Sequence, residues 1–358
     1  MKRLCACKTC RKGPLGLILG VCLTLTSALV PWAEAGSWPV VVRDALGRTV
    51  AVPAPPRRMV VLNSNALDAV RILGAADLVV GVSSLVRNNT PYWRELAALP
   101  EVGKWNSPNL EAIAALDPDM VLTYGNNPGQ EIEALLGPLG ITVLRLDFHH
   151  LSTLEREMEV LGRVLERPDK ARDYLAWHRG WLERIRSMVA PLIGGAGGLP
   201  KAYVESYASY RVSGPGSSID EMVRAAGMRN IADVMAVPFA EVTPEWVAAS
   251  EPVIMIKAGS TRDSYACSNP DWLESKRRSV LARPGWEHVV AVRDGRVLVL
   301  SSDVCPGTRA VVGVAYMARF AHPELAGSVD PEAIHREYLE RFVGLPLRGC
   351  YAVGEARP

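Results

Sequence analysis

The chain predicts an α/β protein of two lobes, each a parallel sheet flanked by helices, joined by a long helical connector with a ligand cleft between the lobes. Three observations predict it. From residue 58 onward, short apolar runs alternate with amphipathic stretches. The alternation stops over residues 152–190, where apolar residues recur at helical spacing instead. One short element is written twice, 134 residues apart, as LEAIAALDPDMVL at 110–122 and PEWVAASEPVIMI at 244–256.

The first 35 residues stand outside that pattern. Lys2, Arg3, Lys8, Arg11 and Lys12 precede an apolar run from Leu15 to Val30, and Ala33-Glu34-Ala35 offers small residues to a signal peptidase, with cleavage after Ala35. The run is shorter than the roughly 20 apolar residues of a membrane span. Val21 also stands where a lipoprotein signal at Cys22 would want a small residue. Export to the periplasm by a cleaved signal is the expectation. Five basic residues against Glu34 in this segment turn the net charge of +2 for the whole into −2 for the remainder. With no basic patch left, nucleic acid is not an expected partner. Cys5, Cys7, Cys10 and Cys22 leave with the signal, while Cys267, Cys305 and Cys350 stay. In an oxidising compartment an odd count implies one disulfide and one thiol, and the sequence does not choose the pair.

Hydrophobic residues at 49% and charged residues at 22% are globular composition, enough for one large core or two ordinary ones. MVVLN (59–63), DLVVGVS (77–83), MVLTY (120–124) and ITVLRLDF (141–148) read as buried strands, separated by helices at 66–75, 110–116 and about 129–138. This is a first Rossmann-like lobe, 36–150. The connector, 151–193, carries Leu154, Met158, Leu161, Leu165, Tyr174, Leu175, Trp181, Leu182, Ile185 and Met188 in one apolar stripe, with a kink or restart expected at Pro168. GGAGGLP at 194–200 reads as a linker. A second such lobe, 194–329, follows with AYVESY, SIDEMVRAAG and RVLVLSS, and 330–358 is a C-terminal helix and tail.

Ligands of open parallel sheets bind beyond the carboxyl ends of the strands, so the loops there are the candidate site. They hold Trp105, Tyr124, Tyr207, Tyr210 and Tyr265, which suit a large, flat or partly apolar ligand. Arg87, Lys104, Arg211, Lys257, Arg262 and Arg309 face Glu95, Asp147, Glu205, Asp263 and Asp303, a small cationic excess that favours an anionic ligand. GPGSS at 214–218 lacks the third glycine of a dinucleotide fingerprint and reads as a turn capped by Ser217 or Ser218. His149 and His150 are adjacent, and on an extended chain their side chains diverge, so a metal held directly by the protein is not expected. No nucleophile elbow, zincin helix or phosphate loop occurs, so no catalytic residue is nominated.

Glu111 and Glu245 occupy matching places in the repeated element. Ser107-Pro108 and Thr243-Pro244 are expected to supply N-cap hydroxyls and first-turn prolines, leaving each glutamate early in its helix. The helix dipole favours a carboxylate there by roughly 0.3–1 kcal/mol, which explains one glutamate better than a matched pair.

From VVVRDALGRTVAVPAPPRRMVVLNSNALDAVRILGAADLVVGVS through VGKWNSPNLEAIAALDPDMVLTYG to the second lobe, the chain resembles the helical-backbone (class III) periplasmic substrate-binding proteins of ABC importers, which bind ferric siderophores, haem and cobalamin. NLEAIAALDPDMVL is the most specific block. The resemblance implies a monomeric binding protein, not an enzyme, whose Glu111 and Glu245 engage arginines of the two permease subunits in the inner membrane. It places Trp105 and Tyr124 at cleft aromatic positions. Tyr207, Tyr210, Arg211, Lys257 and Arg309 are nominated for ligand binding from their loops. No covalent cofactor is implied. The ligand expected is a transported metal chelate, foremost a ferric siderophore, with cobalamin, haem and molybdate or tungstate as alternatives. An exported sensor or enzyme on the same fold is the competing class.

Overall fold

The structure, a computed structural model, describes residues 38–193 and 198–354. Residues 1–35, expected from the sequence to be an export signal, and most of the glycine cluster lie outside the described residues. In the first lobe an antiparallel pair, β1 (Val40–Arg43) and β2 (Thr49–Val52), leads into β3 (Met59–Val61) and β4 (Val79–Val82). A two-residue hairpin of β5 (Gly103–Lys104) and β6 (Ser107–Pro108) precedes β7 (Met120–Thr123) and β8 (Thr142–Arg145). The sheet order is β4-β3-β7-β8 with every pair parallel. β3 and β7 are buried at every position, which is why they read as unbroken apolar runs rather than alternating ones. The helices between them are α1 (Ser64–Ile72), α2 (Thr90–Trp93), α3 (Leu110–Ala115) and α4 (Glu131–Leu136).

The connector is a helix pair, α5 (Leu151–Val164) and α6 (Pro168–Val189), with Pro168 at the first turn of the second helix. Glu166 takes a left-handed φ of 55° in the turn between them. Gly162 is required at their contact: a Cβ there would stand 2.7 Å from that of Ala171.

The second lobe is built on β9 (Lys201–Glu205), β10 (Arg211–Ser213), β11 (Arg229–Asn230), β12 (Phe239–Glu241), β13 (Ile254–Gly259) and β14 (Val297–Ser301). β9, β13 and β14 are parallel neighbours, with β10 and β12 added antiparallel at one side. Its helices are α7 (Ser218–Ala225), α8 (Pro244–Ala249), α9 (Asp271–Leu281), α10 (Val290–Arg293), α11 (Ala310–Ala321) and α12 (Pro331–Tyr338). Ser217 caps α7 and Thr243 caps α8, as their sequences predict.

The C-terminal segment is integral to this architecture. β15 (Ala352–Val353) extends the sheet antiparallel to β14. α12 and the π-helical turn Leu339–Val343 that follows it pack on the connector, with Tyr338 5.7 Å from Trp177 and Phe342 5.5 Å from Tyr174 between ring centres. Trp181 Nε1 donates to Glu337 at 3.0 Å.

Candidate functional site

The carboxyl ends of β3, β7, β8, β9, β13 and β14 feed loops that enclose a cavity of about 1160 Å³ between the two sheets. Trp105, Tyr124, Tyr207, Arg211 and Arg309 line it. One wall is aromatic: Trp105 meets Tyr124 edge-on at 5.3 Å, and Tyr124 meets His149 at 6.0 Å. Burial pushes the Tyr124 hydroxyl up to about 12, against a hydrogen bond with Ser64, so this wall stays neutral. Opposite it, Phe239 is half-exposed at the mouth under the Arg211 guanidinium, 5.4 Å from the ring centre. Arg262, Ser264 and Asp303 complete that side.

Tyr210 and Lys257 do not reach the cavity, which corrects their nomination. In the parallel register Lys257 of β13 lies opposite Glu205 of β9. Its Nζ sits 2.8 Å from Glu205 Oε1 and donates to the carbonyls of Ser206 at 2.6 Å and Tyr207 at 3.0 Å. Glu205 also holds Arg283 at 2.7 Å. Burial alone would push Glu205 up; hydrogen bonds from Arg283 and Lys257 instead bring it down to about 2. Tyr210 stacks beneath Arg283 at 4.5 Å and edge-on to Trp286 at 5.6 Å, closing a second-lobe core. Tyr265, also in the loop set, is buried and donates its hydroxyl to the Pro346 carbonyl at 2.7 Å.

Arg309 sits at the cavity floor and is almost wholly buried. Its Nη2 lies 3.7 Å from Asp68 of α1, and its guanidinium covers the Tyr92 ring at 4.6 Å. Among the described residues its buried Nη1 has no hydrogen-bond partner.

The histidine expectation also changes. Both His149 and His150 line the cavity, their rings 4.4 Å apart and tilted by 43°. Phe148 before them takes a left-handed φ of 56° and His150 itself is extended, yet the two rings meet on the cavity wall instead of diverging. Burial lowers His149, and the neighbouring His150 adds to this against Asp147. His150 moves up because its Nδ1 lies 3.2 Å from Glu221 of α7. Against burial, hydrogen bonds from His150 and Ser152 bring Glu221 down to about 2. Among the described residues no cluster of three or more His, Cys, Asp or Glu could hold a metal ion.

This clasp predicts a pH dependence. His150 has a raised folded value, so its contribution is complete below the unfolded value of about 6.5 and is lost as pH rises through the folded one. Glu221 contributes above about 4.5 and fails only toward about 2. The stability lost in Glu221→Gln, measured by urea unfolding, is therefore expected to be larger at pH 5.5 than at pH 8.5. Solvent screening of this half-exposed pair holds the difference to about 1 kcal/mol or less. An equal loss at both pH values would show that the clasp carries no charge.

Glu111 and Glu245 are exposed, away from the cavity, each at the second position of its helix. The cap of α3 is Asn109 Oδ1, accepting from Ala112 N at 3.0 Å, and not Ser107 as the sequence implies. Ser107 and Pro108 are taken up by β6, pairing with Lys104 and Gly103. α3 and α8 each bury a single side chain, Ile113 and Val247, and leave their outer faces free.

Asn65 and Thr261 line the cavity from loops that the sequence places at the strand ends, whereas Phe239 and Asp68 on the same lining are missed. Phe239 belongs to a short antiparallel strand and Asp68 to the body of α1, so neither lies in a loop after a parallel strand. Among the described residues no helix is long and apolar enough to cross a membrane.

A family model described as periplasmic binding protein matches residues 59–304. An uncharacterized ABC transporter substrate-binding lipoprotein, YvrC of Bacillus subtilis, is 24% identical over 292 residues, covering 80% of this chain and 87% of its own. The molybdate-binding protein MolA of Haemophilus influenzae is 24% identical over 345 residues, covering 84% and 90%. The crystal structure of the TroA-like periplasmic binding protein FepB from Veillonella parvula superposes with a TM-score of 0.72 at 20% identity, covering 88% of this chain and 99% of that one. With two lobes, parallel sheets and a cavity between their loops, this chain belongs to the periplasmic binding protein family and is a substrate-binding protein, not an enzyme.

Proposed function

We propose that this protein is the periplasmic substrate-binding component of an ABC importer for a metal chelate, with a ferric siderophore as the class of ligand. The cavity carries the reading. Its volume of about 1160 Å³ lies just above the roughly 300–1,000 Å³ of ordinary small-molecule pockets. A chelate of several hundred daltons fills such a space, whereas a bare oxyanion leaves most of it open. Trp105 and Tyr124 offer apolar faces to the organic shell of the chelate. Arg211 and Arg262 suit its anionic oxygens, and the buried positive charge of Arg309 on the same lining favours them. Cobalamin and haem fit the same volume and are the alternatives within the fold. The likeness to MolA supports molybdate as a second reading. In this account the ligand is held between the lobes, the helix pair limits closure to a small hinge motion, and Glu111 and Glu245 present one docking carboxylate per lobe to a two-subunit permease.

The reading is tested by thermal unfolding of the chain from Gly36 with ferric siderophores of several chelating types, haem, cobalamin and molybdate. A ligand present at 100 times its Kd stabilises by about 2.7 kcal/mol. We expect a ferric siderophore to raise Tm, with molybdate weaker. A shift with molybdate and none with any chelate would overturn the chelate assignment.

A further inference from the structure

The C-terminal segment runs against the loop that follows β13, and the two meet backbone to backbone. Gly349 has a φ of +86°, and a Cβ there would stand 2.5 Å from the Ser264 carbonyl oxygen and 3.2 Å from Tyr265 Cα, so only glycine permits the approach. Tyr265 donates its hydroxyl to the Pro346 carbonyl at 2.7 Å. Cys350 is the next residue after Gly349, and Cys267 lies two residues beyond Tyr265, closing the turn Ser264–Ala266. Both are thiols in this structure and both are partly accessible. They are near enough that, after burial, Cys267 is the cause raising the Cys350 thiol. Cys305 is different: it is wholly buried at the base of another loop, and burial pushes its thiol up to about 12.

The joined segments are those that hold the cleft edge. Asp263 N donates to the Asn88 carbonyl at 2.7 Å, and Asn89 Nδ2 donates to Ser264 Oγ at 3.0 Å, so this second-lobe loop reaches across to the first lobe. Ser264 also bonds Asp303 and lines the cavity. On the other strand of the junction, Ser301 N donates to the Tyr351 carbonyl at 2.8 Å, beside the pairing of β15 with β14.

We propose that Cys267 and Cys350 form the disulfide of the exported protein, leaving Cys305 as a buried thiol, and that the bond fastens the cleft-bridging loop to the last strand. The proposal rests on the export reading for its oxidising surroundings. One thiolate attacks the disulfide of an exchange oxidant and expels a thiolate from it; the second cysteine then attacks the mixed disulfide. Two protons and two electrons leave the protein, and the oxidant ends as two thiols.

Trypsin separates the three cysteines into Asp263–Lys276, Val297–Arg309 and Gly349–Pro358, since the Arg357–Pro358 bond resists cleavage. The reduced chain from Gly36, treated with oxidised glutathione and digested without reduction, is expected to give Asp263–Lys276 joined to Gly349–Pro358, with Cys305 alkylated only in denaturant. Closing a loop of about 80 residues should raise Tm by about 5–8 °C over the reduced form. The double variant Cys267→Ser, Cys350→Ser should melt with the reduced form and lose all response to reductant. A link to Cys305, or three thiols persisting in oxidised glutathione, would overturn the pairing. The same map made on protein taken from cells separates the two ideas. If the bond forms in vitro while the cellular chain keeps residues 1–35 and three thiols, the pairing stands and export fails.

Discussion

Replacing Glu111 and Glu245 together by alanine is expected to abolish uptake while leaving the affinity of the isolated protein within about twofold. Both carboxylates are exposed, and neither lines the cavity, so their removal leaves the fold and the ligand site intact. Each stands one residue into a short helix capped by Asn109 or Thr243. Hydrogen bonds to its own N–H and to Thr243 hold Glu245 below the ordinary carboxylate range, so it stays ionised at any physiological pH. A charged pair buried on docking costs about 2–5 kcal/mol when one partner is truncated. Each single variant should therefore weaken transport and the double variant should stop it. The check is a labelled-ligand uptake assay in cells whose sole copy is the variant, set beside calorimetry of the purified protein. Lost affinity in the double variant, or undiminished uptake, would remove the docking role.

Asp68→Ala is expected to be the most damaging single change to stability, at about 3–5 kcal/mol. Asp68 is 4% exposed and accepts from the Tyr92 hydroxyl at 2.6 Å and from the Tyr338 hydroxyl and Thr308 Oγ1 at 3.4 Å each. Arg309 and Arg71 lie 3.7 and 3.8 Å from it. The residue joins α1 of the first lobe to the start of α11 and to the C-terminal helix. Its loss strands the buried Arg309 charge without its ion-pair partner, leaving only the more distant Asp303. Adding Arg309→Met to Asp68→Ala should restore part of the loss, because the stranded charge is then gone. Urea unfolding of the two singles and the double measures this as a coupling energy. A single-variant cost below about 1 kcal/mol would mean that the network does not hold the lobes together.

What could be read from residues alone divides by range. Buried parallel strands announce themselves as apolar runs, and the caps Ser217 and Thr243 act within three residues, so both were legible. Ser107 was misread because its partner, Lys104, belongs to a hairpin with no apolar signature. Lys257 and Tyr210 were placed in the cleft from strand-end positions. Their true partners come from other elements: the register of β13 on β9 brings Lys257 to Glu205, and the turn after α9 brings Arg283 over Tyr210. Adjacency on an extended chain predicts that His149 and His150 diverge, but their rings lie 4.4 Å apart on the cavity wall, an orientation that no local pattern encodes. The C-terminal segment was taken as an appendage because its helix pattern says nothing of what it packs against. Its aromatic residues Tyr338 and Phe342 fill the groove beside Tyr174 and Trp177.

The central claim, that a metal chelate is held between the lobes by the Trp105 and Tyr124 wall, is tested most directly by calorimetric titration of the chain from Gly36 with ferric siderophores. The wild-type protein is set beside Trp105→Ala and Tyr124→Ala. The account predicts one-to-one binding at micromolar affinity or tighter, about −8 kcal/mol or better, weakened at least tenfold in each variant. Absence of heat with every chelate, or tight binding that both variants leave unchanged, would contradict it.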